Sequence, residues 1–511
     1  MSDAAAPTEK IAEAVPSPGA LPAWTRGELP APVPFGWRNI FRAIGPGIIV
    51  LGGSIGTGEW LLGPAVTAKY GGGLLWLATV AILLQLALNL SCVRYTLYSG
   101  EPVFTGFMRC RPGPRFWAIL YLLVDSGSLW PAFAMSVATL LAAAFMGVGH
   151  IPDVSIAADR RLVLTLGYVM TFVVVLLVTF GGKVYNALNA VMSVMVIYIL
   201  GYLTWVGFML VSADTWHKVL TGFFSFGRVP SGLALQDWSV IAGFAAYAGA
   251  GGLSNATISN YVRDKGWGMG AQVGAIPSIV GGSQITLSHL GKVFTPTAEN
   301  LRRWKLWWHY VLFDQGVIWA IGCFGGVLLP ALLTVNFVPT GTDFFGKQAE
   351  VASIQARGIA GALPQYGNLL WTLTLICGFF ILFSTQVQVV DHVARRWTDI
   401  LWTGGSAGAA KLEEHQVKYI YYGVMLAYTV LGCILMPLAK PFTMVVISAC
   451  TGGFAMVVTA LHSLYVNRRF LPRSLQGEGW RRPLREVALV ACALFYGVMT
   501  ILAVYGVLHR P

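Results

Sequence analysis

Long apolar runs separated by short polar stretches cover most of the chain from residue 40 to residue 508. They fall at 40–69, 74–98, 116–146, 162–180 and 184–211, then at 238–261, 307–335, 369–390, 420–438, 442–466 and 487–508. Each is close to or above the roughly 20 residues a helix needs to cross the hydrocarbon core of a bilayer. The pattern predicts an all-α membrane protein with about eleven transmembrane helices.

Two of these runs carry glycine where a helix is expected to be continuous. The first reads Gly52-Gly53-Ser54-Ile55-Gly56-Thr57-Gly58-Glu59, and the sixth reads Gly249-Ala250-Gly251-Gly252-Leu253-Ser254-Asn255. Each glycine weakens a helix by about 1 kcal/mol relative to alanine, so such clusters predict unwinding. Unwound backbone at membrane depth persists only where protein buries it or it lines a cavity. Breaks in the first and sixth helices divide the chain into an inverted 5+5 repeat plus one extra helix. The first repeat is placed at 37–212 and the second at 236–467, with a long cytoplasmic loop at 264–305. The eleventh helix is placed at 484–509, and residues 1–36 read as a disordered cytoplasmic tail without a leader-like apolar core. Within the long loop, the moderately apolar stretch 276–290 suits a short interfacial or re-entrant helix.

Composition supports a bilayer as the solvent. The chain is 56% hydrophobic and only 11% charged, against about a quarter charged in soluble domains. With the N-terminus inside, 25 of the 34 Lys and Arg residues fall on the cytoplasmic side, as the positive-inside rule requires. The net charge of +12 is therefore explained by topology and contact with membrane lipids, with no nucleic-acid partner. This places the chain in a bacterial inner membrane with its C-terminus outside. Tryptophans such as Trp37, Trp76, Trp304, Trp307 and Trp308 fall near the predicted interfaces. Seven single cysteines form no CxxC pair, which argues against a disulfide framework or structural zinc. The histidines form no H-E-x-x-H motif, and no nucleophile–base pair is visible in the spans, so the chain reads as a non-enzyme without cofactors.

From Gly45 to about Arg469 the sequence resembles the Nramp family of proton-coupled divalent-metal transporters. The resemblance rests on Gly45-Pro46-Gly47, Leu74-Leu75-Trp76, Leu84-Gln85, Ser99-Gly100-Glu101, Asp125 and Asn467-Arg468-Arg469 in that order. It implies a LeuT-type fold and secondary active transport of a divalent cation, symported with protons. The metal motifs depart from the family. Its Asp-Pro-Gly-Asn aligns with Gly56-Thr57-Gly58-Glu59, so Gly56 stands at the metal-binding aspartate. Its Met-Pro-His-Asn aligns with Gly252-Leu253-Ser254-Asn255, which removes the sulfur ligand. A third-helix glutamate becomes Ser128, and a tenth-helix glutamine falls near Ala449. A thioether helps select transition metals over magnesium and calcium. Its loss, with that of the aspartate, predicts a wider site that does not select manganese or iron.

The expected substrate site comprises Ser54, Gly56, Thr57, Glu59, Gly251, Gly252, Ser254, Asn255 and Thr257, with Glu59 and Asn255 as metal ligands. Glu59, Asp125 and Asp314 are the candidates for proton coupling, because ionisable groups inside a membrane are usually functional. Each has a rival structural role: Glu59 as a helix cap, Asp125 and Asp314 in salt bridges or hydrogen bonds. Ser254 and Asn255 could likewise cap the inner half of the sixth helix. Asp391 and His392, beside Arg395 and Arg396, are expected to form a solvated charge cluster at the cytoplasmic end of the eighth helix. The function read from the sequence is a secondary active transporter for a hard divalent cation such as magnesium. Two alternatives stand beside it: a carrier of a small organic or anionic solute, and a non-transporting membrane sensor.

Overall fold

The computed structural model describes residues 14–15, 21–36, 39, 45–147, 150–179, 184–275, 291–345, 348–405, 417–438, 440–477 and 479–509. The expected helix at 276–290 and Trp37 lie outside the described residues. Among those residues, nine helices are long and apolar enough to cross a membrane. The first and sixth spans complete the set, and both are split.

The first span consists of Pro46–Ser54, a break at Ile55–Gly56, a wide π-helical turn Gly58–Leu62, and Gly63–Tyr70. The second is Trp76–Ser99, the fourth Ala157–Thr179 and the fifth Val184–Leu210. The sixth is Trp238–Tyr247 followed, after an unwound stretch, by Ser254–Lys265. The seventh runs from Ala298 to Phe337 through a π-helical segment Phe313–Ile321. The eighth is Gly367–Gly404, the ninth Val417–Leu435, the tenth Pro441–Phe470 and the eleventh Arg481–Leu508. Outward-facing apolar side chains recur at helical spacing on the outer helices: Val194 and Ile197 on the fifth, Leu426 and Val430 on the ninth, Leu494 and Ile501 on the eleventh. That surface matches lipid, whereas the polar side chains are gathered inside.

The third span differs from its expected continuity. It is divided into Pro114–Val124 and Ala132–Met146 by the turn Ser126–Leu129. Pro131 explains the interruption. A proline has no N–H to donate and pushes the residue before it out of helical geometry, and Trp130 is accordingly extended (φ −71°, ψ 133°). Gly127 lets this turn lie flat on the tenth helix, since a Cβ there would sit 1.6 Å from Thr451 Oγ1. Two further helices had no counterpart in the expected set: Ala213–Phe224, between the fifth and sixth spans, and Gln348–Ala362, between the seventh and eighth.

The eighth helix is longer than the apolar run that predicted it, and this corrects the charge cluster. Asp391, His392, Arg395 and Arg396 are all buried within helical structure rather than solvated at its end. Arg395 Nε donates to Asp391 at 2.6 Å and its Nη1 pairs with Asp264, while Arg263 bonds Asp264 at 2.8 Å and Asp399 at 3.1 Å. Four of these groups hold the inner half of the sixth helix to the eighth.

Disorder is not found over 21–36. Strand β2 (Trp24–Arg26) pairs with β1 (Ala14–Val15) and with β3 (Lys292–Val293). From there the segment runs as an extended strap whose carbonyls accept side-chain donors. Arg109 reaches Pro22, Gln272 reaches Glu28, Arg303 reaches Leu29, Trp307 reaches Pro30 and Tyr310 reaches Val33, at 2.7–2.9 Å. Trp24 is buried against Tyr95, Tyr98 and Phe470, with the Arg109 guanidinium 4.7 Å from its ring. Low hydrophobicity misleads here, because this segment is held by its backbone rather than by a core of its own. Trp24→Ala removes the one large anchor, a change that costs about 3–5 kcal/mol in a packed site. Tryptic cleavage at Arg26 should then accelerate at least tenfold in detergent-purified protein, an ~1.4 kcal/mol opening being enough for that, while the melting temperature of the helical bundle moves little.

Candidate functional site

The two predicted breaks meet in space. A Cβ on Gly58 would lie 2.2 Å from the Tyr247 carbonyl oxygen, so the first and sixth helices cross with no room for a side chain. Beside this crossing, Glu59 is buried and its carboxylate accepts from the Gly56 N–H at 2.9 Å and from the Gly249 N–H at 3.2 Å. One carboxylate therefore satisfies a freed donor from each break. The unwinding of the sixth helix requires glycine for its backbone as well: Gly249, Gly251 and Gly252 have φ of 129°, 68° and 56°, values that side-chain-bearing residues rarely adopt. Gln85 of the second helix satisfies two more of the freed groups. Its Oε1 accepts from Gly251 N–H at 3.1 Å, and its Nε2 donates to the Ala248 carbonyl at 3.3 Å and to Tyr496 Oη at 2.7 Å. The first and sixth helices meet again at their other ends, where Lys69 bonds Asp237 at 2.8 Å and Asp343 at 2.7 Å.

The eighth helix fills the space beside the first break. Gln388 Nε2 donates to the Ile49 and Val50 carbonyls at 2.9 Å, and Thr385 Oγ1 donates to the Gly53 carbonyl at 3.2 Å. A Cβ on Gly56 would lie 2.1 Å from Thr385 Oγ1, and one on Gly53 would lie 1.8 Å from Gln388 Oε1. The position aligned with the Nramp aspartate therefore has no room for a carboxylate.

A cavity opens one step away, where the break of the third helix faces that of the sixth. Asp125, Gly127, Ser128 and Phe133 form one wall and Tyr247 with Ala250–Ser254 another. Gln388 and Val389 of the eighth helix and Ser448, Thr451, Gly452 and Ala455 of the tenth complete it. Of the residues expected at the substrate site, Gly251, Gly252 and Ser254 line this cavity. Ser54, Gly56, Thr57, Glu59, Asn255 and Thr257 do not appear on its wall. Ser54 donates to the Val50 carbonyl and accepts from Trp319, and Thr257 donates to Leu253 within its own helix. Ser128, Tyr247, Ser448 and Thr451 were not singled out as site residues from the sequence. The Trp130-Pro131 pair was the available signal, since it marks a third interruption.

The three candidate acids are all engaged. Asp125 takes a bidentate pair from Arg396 at 2.6 and 2.8 Å, with further bonds from Trp397 and Ser128. Asp314 accepts from the Gly45 and Gly47 N–H groups at 3.2 and 2.7 Å and from Gln315 at 2.8 Å. It thus caps the N-terminus of the first helix, where a carboxylate meets the positive end of the helix dipole. Asn255 donates to Asn89, which donates to Gln315, so it belongs to a polar chain through the second and seventh helices. Among the described residues Glu59 and Asn255 share no hydrogen-bond partner, and no group of three His, Cys, Asp or Glu side chains is placed to hold a metal.

No family model matches the chain, and neither does any curated protein. Solved structures do match in fold. The manganese transporter of Eremococcus coleocola, in a mutant form, aligns over 92% of this chain and 88% of its own, at 12% identity and TM-score 0.58. The same transporter in complex with an aromatic bis-isothiourea compound gives TM-score 0.56 over the same coverage and identity. Mhp1, a nucleobase-cation-symport-1 family transporter with bromovinylhydantoin bound, aligns over 94% of this chain and 93% of its own, at 12% identity and TM-score 0.50. The chain is an integral membrane protein of LeuT-type fold.

Three substitutions test this geometry. Gly56→Ala should destabilise the protein by about 1–3 kcal/mol through overpacking, and Thr385→Ala in the same chain should recover part of that loss, giving a non-additive cycle in thermal unfolding. Asp125→Asn should cost about 3–5 kcal/mol, because it leaves the Arg396 guanidinium buried without its counter-charge. A thermal shift no larger than that of an exposed Asp→Asn control would refute the second expectation.

Proposed function

We propose that the chain is a secondary active transporter that works by alternating access and carries a small polar organic solute. The observation that carries this reading is the cavity between the interrupted third and sixth helices, whose volume of about 30 Å³ marks the position of a site that must widen to admit the solute. Interruptions expose backbone donors and acceptors that a continuous helix would consume, which is how membrane transporters build polar sites at depth. The wall supplies hydroxyls from Ser128, Tyr247, Ser254, Ser448 and Thr451, together with apolar surface from Phe133, Leu253 and Ala455. Its acid, Asp125, is already neutralised by Arg396. Hydroxyls, backbone amides and apolar contacts together suit an uncharged or zwitterionic solute, which needs shape and hydrogen bonds more than net charge. Mhp1, with its bound hydantoin, shows that this fold can house such a ligand.

A hard divalent cation is the second reading. The fold shared with a manganese transporter favours it, as does Asn255 Oδ1, a buried acceptor without a hydrogen-bond partner among the described residues. Against it stands the donor set, since hard cations draw on several free carboxylates, carbonyls and waters. Glu59 spends both of its oxygens on backbone N–H groups.

Purified protein in proteoliposomes, assayed with radiolabelled neutral amino acids and nucleobases beside manganese, magnesium and calcium, separates the two. An organic solute should accumulate, and Tyr247→Phe or Ser448→Ala should weaken its apparent affinity by about three- to tenfold, the effect of one lost hydrogen bond. Accumulation of a divalent ion with no organic counterpart, abolished by Glu59→Gln, would replace this reading with the cation.

A further inference from the structure

His392 stands apart from the three candidate acids. It is fully buried, and neither ring nitrogen has a hydrogen-bond partner among the described residues. A buried polar group left unpaired is expensive to keep. The contrast with the three acids is direct. Glu59, Asp125 and Asp314 each have their oxygens committed to backbone N–H groups or to Arg396, whereas the imidazole has both nitrogens free.

Its place in the helix gives that freedom a direction. Gln388, His392 and Arg396 follow one another at four-residue spacing, so they lie along one face of the eighth helix. Gln388 lines the cavity, and Arg396 pairs with Asp125, which also lines it. His392 lies between them on that face, one turn beyond the part of the helix that lines the cavity.

The charged and titratable groups around it come from four helices. Its own helix supplies Asp391, Arg395, Arg396 and Asp399, and the sixth supplies Tyr261, whose ring lies 5.3 Å away, with Arg263 and Asp264 behind. The third supplies Asp125 and the ninth Tyr421 and Tyr428, of which Tyr421 bonds Asp391. Asp391 and Asp264 are held by Arg395, and Asp125 by Arg396. Among the described residues no carboxylate is hydrogen-bonded to the imidazole, and two guanidiniums sit three and four residues along its own helix. A proton placed on the ring in this packed arrangement would find no hydrogen-bond acceptor beside the two guanidiniums, because the nearby carboxylates are already paired with arginine.

We propose that His392 carries the coupling proton of the transport cycle, a step that rests on the transporter reading above. The imidazole is neutral in the packed arrangement. When the sixth helix draws away from the eighth, water reaches the ring, which takes a proton from hydronium to become imidazolium. Return of the sixth helix over the ring then strips that water away, beside the fixed Arg395 and Arg396, and expels the proton into water on the other side. Protonation and the packed state exclude each other, and this exclusion ties proton movement to the conformational cycle. An unperturbed imidazole is the side chain suited to this, since it changes charge between about pH 5 and 8.

The test reads conformation, so it does not depend on knowing the solute. In a chain with its seven cysteines replaced, Ala455→Cys places a thiol on the cavity wall, and its maleimide labelling rate is followed against pH in proteoliposomes. The rate should change at least about fivefold across one transition with its midpoint between about pH 5.5 and 7.5. His392→Gln and His392→Asn should flatten the profile to within about twofold, whereas Glu59→Gln and Asp314→Asn should keep the transition. A transition that survives in either His392 variant overturns the proposal. So does an unchanging rate, or a transition that Glu59→Gln or Asp314→Asn removes; these are read on chains that retain His392, should neither His392 variant fold. Proteoliposomes that accumulate no solute or ion would defeat the transporter reading while leaving the labelling result standing.

Discussion

The crossing of the first and sixth helices at Gly58 and Tyr247 is the constraint on which the rest of the bundle depends. Two helices that unwind inside a bilayer must find partners for the backbone groups they free. Here one carboxylate, Glu59, serves both breaks, and it can do so only because Gly58 allows the backbones to touch. The crossing therefore joins the two interrupted helices into one piece. Lys69 and Asp237 repeat the connection at the far end of the same pair. A part that moves as a unit within the membrane needs this kind of internal bonding, since independent motion of either break would strand its N–H groups.

The eighth helix is the complementary surface. Thr385 and Gln388 occupy the volume that Gly56 and Gly53 leave empty, and both donate to carbonyls at the end of the first half-helix. Farther along, Arg395 and Asp399 engage Asp264 and Arg263 of the sixth helix, and Arg396 engages the third. The loss of an aspartate at position 56 is thus a change in packing as well as in chemistry. The departure from the Nramp pattern reads in sequence as a missing ligand, and in three dimensions as space already taken by another helix.

Much of this was legible in the sequence because hydrophobic run length and glycine clustering report on purely local requirements. The apolar runs correspond to the helices, and the two glycine clusters correspond to the two breaks. The third interruption was equally local, written in Trp130-Pro131, but a proline amid apolar residues is easily read as a tolerated kink. What could not be read was the pairing of distant polar groups. Asp314 capping Gly45 and Gly47 across the bundle, Glu59 bridging to Gly249, and the charges of the eighth helix finding burial all depend on which helices are neighbours. The strap at 21–36 failed for a related reason. Its stability comes from side-chain donors spread from Arg109 to Tyr310, so its own composition carries little trace of its order.

The distribution of charge sets how such a molecule can move. Every buried ion pair between the sixth and eighth helices must be broken or hydrated before those helices separate, and a buried charge left without its partner costs several kcal/mol. Asp391 is held within the eighth helix by Arg395 and from outside by Tyr261 and Tyr421, so it stays compensated if either tyrosine withdraws. Asp264 retains Arg263 when Arg395 leaves, because those two are adjacent in the chain. Arg395 likewise keeps Asp391 one turn away. The Arg395–Asp264 pair thus has an internal counter-charge on each side, so its separation exchanges an inter-helical pair for intra-helical ones. Asp399 is bonded from the sixth helix, by Arg263 and Asn260, so its separation leaves hydration by water to take their place. That arrangement makes a densely charged interface compatible with repeated opening inside a membrane.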